Sequence, residues 1–207
     1  MEKTFLPQEL SEVRTLQDEE GVRRIEGLAI VFDSPSRIMR TLKSVSRGVN
    51  NFQEVIDKNA LDGADFSNAI SCWNHNVDYI LGSVRNGTAT YEIDQTGMPY
   101  KTLPPDTQLI RDMVFAPIDR RDVTGSSFVF NIAPDGDYWE RGSNGLVTRY
   151  VKKITVISEW GPVSRPAFLD TTTEVVSRSF DDFIATFQQE EKSYNAQLAK
   201  MRLAIGL

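Results

Sequence analysis

Ser127-Phe128-Val129-Phe130-Asn131-Ile132 places Phe128, Phe130 and Ile132 on one side of the chain and Ser127, Val129 and Asn131 on the other. A period of two marks a strand with one face in a core, and it sets the chain among β-rich folds. Working outward, a polar, glycine-containing loop from Ala133 to Gly145 leads to Leu146–Glu159, which resumes strand character through Val147, Tyr150, Val151, Ile154, Val156 and Ile157. Upstream, Arg24-Ile25-Glu26-Gly27-Leu28-Ala29-Ile30-Val31-Phe32 is rich in branched residues and closes on the turn formers Asp33-Ser34-Pro35-Ser36, so it reads as a core strand. The segment from Ile70 to His75 reads as another. Between Leu81 and Ile93, Asn86-Gly87 favours the turn of a tight hairpin, and Asp94-Gln95-Thr96-Gly97 supplies a further turn.

Two helices are expected among these strands. Phe52, Val55, Ile56 and Ala60 fall at helical spacing with Asp62-Gly63 as a stop, predicting a short helix over Phe52–Leu61. A second follows Pro104-Pro105, capped by Asp106 or Thr107, with Leu109, Ile110, Met113 and Val114 on its apolar face and an end by Pro117. Short strands with few helices predict an α+β fold, mainly a closed or nearly closed antiparallel β-barrel decorated by short helices.

The tail changes period. From Phe180 onward, Phe183, Ile184, Phe187, Tyr194, Leu198 and Met201 form a 3.6-residue stripe, with Asp181 and Asp182 at its start and Lys200 and Arg202 near its end. This is an amphipathic helix favourably placed in its own dipole. Thr171-Thr172-Thr173 and Ser177-Arg178-Ser179 read as a tether. The expected division is a domain over residues 1–170 and a tether with helix over 171–207, the helix covered by its own domain, a second copy or a partner.

Composition narrows the function. At 207 residues, 40% hydrophobic and 25% charged, the chain has the balance of a soluble globular protein. A net charge of −6 argues against a nucleic-acid partner, since phosphate contacts need clustered Lys and Arg. No stretch approaches the ~18 apolar residues of a membrane helix, and Met1–Gly21 has neither the basic nor the apolar region of a signal peptide. A cytoplasm-like compartment without membrane contact is expected. One cysteine, Cys72, and one histidine, His75, make a disulfide impossible within the chain and a zinc site improbable. No cofactor or metal is expected.

A hydroxyl nucleophile needs a base within hydrogen-bond reach, and the base needs a third group to fix its tautomer. His75 is the only imidazole, and a lone histidine is more often a core or surface residue than a catalyst. Its surroundings decide the matter. Trp73-Asn74-His75-Asn76, with Leu81-Gly82-Ser83 after it, resembles the histidine strand of the tailed-phage prohead proteases, distant relatives of the herpesvirus assemblins. Gly125-Ser126-Ser127-Phe128-Val129-Phe130 resembles their nucleophile strand, with Val129 where glycine is usual. Ile157-Ser158-Glu159-Trp160-Gly161-Pro162-Val163-Ser164-Arg165-Pro166-Ala167 resembles their acid-bearing segment, with Trp-Gly-Pro in place of the usual Val-Ser. Ile25–Phe32 and Phe52–Ile56 are similar to the family's opening, so the resemblance runs from Arg24 to Phe168 in the family's order.

The resemblance implies an assemblin-like barrel and a serine endopeptidase acting inside the assembling procapsid, in the host cytoplasm. Its substrates would be segments of scaffold and major capsid protein and the chain itself, and it would work as a homo-oligomer. It implies Ser127 as nucleophile, His75 as general base and Glu159 as the residue orienting the histidine. Assemblins use a second histidine as third member; this chain has none, and Glu159 stands at the matching position, with Asp78, Asp119 and Asp122 as other acids. Ser126 is a rival nucleophile, but strand parity turns it to the face of Phe128 and Phe130. Cys72 lies three residues before His75, which on a strand puts the two on opposite faces and makes Cys72 a buried thiol. An oxyanion hole would be backbone N–H groups, helped by Arg120, Arg121 or Arg165. The alternatives are a non-catalytic capsid assembly or scaffolding protein on the same fold, and a host hydrolase.

Overall fold

The computed structural model describes residues 2–5, 13–39 and 51–164 and, in the tail, 183–186, 189, 192, 193 and 197. In chain order the strands are β1 (Glu2–Phe5), β2 (Val13–Gln17), β3 (Arg23–Val31), β4 (Phe52–Ile56), β5 (Ile70–Trp73), β6 (Asn76–Ser83), β7 (Ala89–Tyr91) and β8 (Gly97–Thr102), then β9 (Gly125–Ile132), β10 (Asp137–Arg141), β11 (Val147–Val151) and β12 (Ile154–Val163). Between β8 and β9 lie α1 (Gln108–Ile110), a π-helical stretch Arg111–Phe115 and α2 (Ala116–Asp119).

These strands make three sheets, ordered β1-β9-β12-β5-β6, β2-β3-β8-β7 and β10-β11-β4. A closed barrel, expected from the sequence, is not formed. Closure requires the outermost strands of a sheet to pair with one another, and among the described residues each sheet keeps two edges. The sheets are also not purely antiparallel, because β12 runs parallel to β5 and β11 parallel to β4. They share one core, in which Ile25 and Ile30 of β3, Met98 and Tyr100 of β8, Phe128 and Phe130 of β9 and Trp160 of β12 are fully or almost fully buried. Phe128 and Phe130 stack at 5.1 Å along one face of β9, and Tyr91 of β7 meets Trp160 of β12 edge-on at 5.8 Å, bridging two sheets. At the break in register between Leu28 and Ile30, Gly97 has φ 157° and a Cβ there would lie 1.9 Å from the Ile30 carbonyl oxygen. Only glycine lets β8 pass the irregularity in β3.

Three local expectations are corrected. Phe52–Ile56 is a strand, not a helix, and its buried residues alternate as Phe52, Glu54 and Ile56. The charge of Glu54 hides that period of two in the sequence. The structure neutralises it, since Arg149 of β11 donates from Nη1 to Glu54 at 2.9 Å and from Nε to Asp137 at 2.6 Å. Asn86-Gly87 makes a turn, with the Gly87 N–H donating to Val84 O, but it links β6 to β7, which belong to different sheets. The hairpin turn between paired strands is instead Asp94–Gly97, closed by Asp94 Oδ1 accepting from the backbone of Thr96 and Gly97. The Thr96 hydroxyl, which also donates to Oδ1 at 2.7 Å, and after it those backbone bonds hold the Asp94 carboxyl below its usual pKa. Finally, the helical segment runs through Pro117 to Asp119. Proline lacks an N–H and crowds the preceding turn; here that turn is a π-stretch, in which the Ala116 N–H reaches back to Arg111 O and widens the helix.

In the tail, residues 183–186 are helical, and Ile184 is buried against Met39, Phe52 and Val147 beside Trp139. This helical turn therefore lies on the face of the three-stranded sheet. Phe187, Tyr194, Leu198 and Met201 and the tether over 171–179 lie outside the described residues.

Candidate active site

The order β9-β12-β5-β6 brings three distant stretches side by side. Ser127 stands on β9 opposite Gly161 of β12. Residues directly opposite share a face, as do residues two apart on one strand, so Ser127, Gly161 and Glu159 face the same way. On the other flank of β12, β5 and β6 form a hairpin in which Trp73 pairs with Asn76, leaving Asn74 and His75 as its two loop residues. Both have positive φ, 53° and 57°. That is the requirement of a type I′ turn, whose twist matches the flanking strands; Asn and His are among the few non-glycine residues that tolerate it.

The turn throws the imidazole back across the sheet. His75 Nδ1 lies 2.6 Å from Glu159 Oε1, and Nε2 lies 2.7 Å from Ser127 Oγ. With the proton on Nδ1, the ring donates to the carboxylate and its Nε2 accepts from the serine hydroxyl. The side chains of His75 and Glu159 are only 7% and 8% exposed, and Ser127 is wholly buried, so these bonds are made where water screens little. Gly161 contributes no side chain to the gap between Ser127 and Glu159. A Cβ there would also fall 2.1 Å from the Cys72 carbonyl oxygen, so glycine is what lets β12 close on β5. The departure Trp160-Gly161-Pro162 from the expected pattern thus carries a packing requirement of this chain.

Two contacts were not foreseen. Cys72 Sγ donates to Glu159 Oε2 at 3.3 Å, so Cys72 and His75 meet at one carboxylate rather than lying on opposite faces. Strand parity does not extend from Cys72 to His75, because the chain reverses at Asn74. Cys72 is buried, as its strand position suggested. The second contact is Asn74, whose Oδ1 accepts from the backbone N–H of Ser164 at 2.7 Å and from its hydroxyl at 3.0 Å. The Asn74 N–H in turn donates to Pro162 O. The histidine turn is thereby fixed to the end of the strand that carries Glu159. Asparagine before the histidine was the available sign, as the residue most suited to the first position of such a turn.

The rival residues lie elsewhere. Ser126 points to the opposite face and shares a hydrogen bond of 2.9 Å with the Tyr100 hydroxyl. Burial pushes the Tyr100 phenol far above its usual pKa, the bond to Ser126 offsetting part of the rise, so it stays neutral. Asp119 pairs with Arg23 at 2.6 Å, Asp122 with Arg120 at 3.1 Å, and Asp78 is exposed. Arg120 and Arg121 are exposed, and Arg165 lies outside the described residues. Among the described residues no group of three or more His, Cys, Asp or Glu side chains is placed to hold a metal ion, and no helix is long and apolar enough to cross a membrane.

No curated protein and no solved structure gives a significant match. The family model described as caudovirus prohead serine protease matches residues 10–185, a span that contains β2 to β12 and the Ser127–His75–Glu159 cluster. The chain belongs to the caudovirus prohead serine protease family.

Proposed function

We propose that this protein is a serine endopeptidase of procapsid maturation, with Ser127 as nucleophile, His75 as general base and Glu159 as the residue that orients and electrostatically supports the histidine. The observation that carries the reading is the continuous pair of short contacts, Ser127 Oγ to His75 Nε2 at 2.7 Å and His75 Nδ1 to Glu159 Oε1 at 2.6 Å. In the first step His75 takes the hydroxyl proton as Ser127 Oγ bonds to the scissile carbonyl carbon. His75 then returns that proton to the leaving amine as the C–N bond breaks, giving an acyl-serine and a new N-terminus. A water molecule, deprotonated by His75, releases the acyl group and restores the serine. The Glu159 carboxylate holds the Nδ1 tautomer and stabilises the imidazolium formed in each step.

Family membership points to segments of capsid protein as substrates, within the procapsid in the host cell. We add scaffold segments and the chain itself as substrates and a homo-oligomer as the working form, with no nucleic acid, membrane, metal or cofactor involved. Residues 171–207 are proposed as a tether and helix appended to a protease domain over 1–170. The test is co-expression with the cognate coat protein and mass spectrometry of the coat. Wild type should yield a shortened coat protein, while Ser127→Ala and His75→Ala should each leave it full-length in assembled shells. Normal processing by Ser127→Ala would sink the assignment, because nucleophile and base act as one unit.

A further inference from the structure

Ser127 has no exposed surface, yet the reaction proposed for it needs a carbonyl carbon at its oxygen. Two strands flank it in the sheet, with Gly161 of β12 opposite it on one side and Phe5 of β1 on the other. β12 is the middle strand of its sheet and is paired on both sides. β1 is four residues long and, among the described residues, lies at the sheet edge and pairs with β9 alone. Of the two flanks, β1 is the one that can leave without dismantling the site.

β1 has the geometry of a bound peptide. It runs antiparallel along β9, with Glu2, Lys3, Thr4 and Phe5 opposite Phe130, Val129, Phe128 and Ser127. Partners across an antiparallel ladder have Cα atoms roughly 4.5–5.5 Å apart, so the peptide unit at Phe5 lies beside the serine. An extended polypeptide joins a sheet edge through the same backbone bonds, with sequence read by pockets for alternate side chains. We propose that the edge of β9 is the binding site for an extended peptide substrate, added antiparallel to β9. Residues 2–5 are then a built-in competitor that must leave before substrate enters. This deepens the protease reading and rests on Ser127 being the nucleophile.

Three measurements on the full chain test it. In native-state hydrogen exchange, the β1 amides should exchange at least tenfold faster than the β9 amides that donate to β12, because β1 opens locally while β9 and β12 stay paired; equal protection would overturn the proposal. The variant Lys3→Pro/Thr4→Pro removes two donors from β1. It should react with a fluorophosphonate, in which the serine oxygen displaces fluoride from phosphorus, on the order of tenfold faster than wild type, the factor expected from losing about one net backbone bond, since only one of the two consecutive N–H groups faces β9. A folded variant with the wild-type rate would overturn the proposal. A fluorescently labelled peptide of the sequence Met1–Leu6 should bind that variant saturably and wild type more weakly; no binding, or equal binding, would overturn it. Labelling of Ser127→Ala at the wild-type rate would instead defeat the nucleophile assignment, while the peptide and exchange measurements would still decide the fate of the edge site.

Discussion

Asn74 and Ser164 are joined twice, the backbone N–H and the hydroxyl of Ser164 both donating to Asn74 Oδ1 at 2.7 and 3.0 Å. The residue before the histidine is thus held by the residue just past β12, the strand of the carboxylate, which ties the turn carrying His75 to the strand carrying Glu159. Removing the acceptor frees the histidine turn without touching the reacting atoms. We predict that Asn74→Gly, which keeps access to positive φ, folds normally but lowers kcat by about 10²-fold with little change in KM, the loss expected from a displacement near 1 Å. Steady-state kinetics on an uncleaved coat segment would check this, and a wild-type kcat would remove Asn74 from the positioning apparatus.

Glu159 makes its second contact with a thiol, Cys72 Sγ at 3.3 Å, and its first with His75 Nδ1 at 2.6 Å. Replacing it with glutamine keeps the shape, removes the charge proposed to support an imidazolium and lets the wrong tautomer compete. Glu159→Gln should therefore fold and retain residual activity, with kcat lowered roughly 10²–10⁴-fold. Cys72→Ala withdraws only a weak donor, so its loss should stay within about tenfold. If Glu159→Gln were as active as wild type, the carboxylate would have been given the wrong role.

The place of Ser127 is legible in the sequence because β9 keeps a strict period of two, which turns Ser127 and Ser126 to opposite faces. The hairpin at Asn74–His75 is not, since an extended strand was read through to His75; the αL pair that reverses the chain cancels the parity on which the Cys72 reading relied. β4 was misread for a related reason. Its inward face carries Glu54, and hydropathy alone cannot see that Arg149, 95 residues away, supplies the countercharge. The barrel failed at long range, because strand count says nothing about which edges pair. Gly161 looked like a flaw in the motif and is instead the one residue whose missing Cβ lets β12 approach the Cys72 carbonyl.

That buried cation is a stability determinant away from the chemistry. Arg149 joins Asp137 at 2.6 Å and Glu54 at 2.9 Å, with side-chain exposures of 7%, 0% and 3% for the three. Deleting the arginine withdraws a buried charge partner from two carboxylates of the three-stranded sheet at once. Arg149→Met should cost about 3–5 kcal/mol in urea unfolding, whereas replacing all three by apolar residues of similar volume should cost far less. Equal losses in the two proteins would show that packing of Arg149 on Trp139, at 5.5 Å from the ring, outweighs the ion pairs.

Tyr100 gives a pH signature with a definite sign. It is 2% exposed, hydrogen-bonded to Ser126 at 2.9 Å, and burial holds its phenol proton to far higher pH than the ordinary value of ~10. Below pH ~10 the phenol is neutral in both folded and unfolded chains, so it adds no pH dependence. Above that, the unfolded chain releases the proton while the folded chain keeps it. The unfolded state then binds fewer protons, and stability falls by about 1.4 kcal/mol per pH unit from this group alone. Tyr100→Phe removes that slope, at the cost of one hydrogen bond worth about 1 kcal/mol at neutral pH. Denaturant midpoints measured from pH 7 to 11 should therefore start lower for Tyr100→Phe and converge on wild type, then cross it, above pH ~10. The other five tyrosines titrate in both proteins and cancel in the difference. Parallel curves across the whole range would mean that the Tyr100 phenol ionises as readily in the folded chain as in the unfolded one, and that the layer beneath the nucleophile strand is wet.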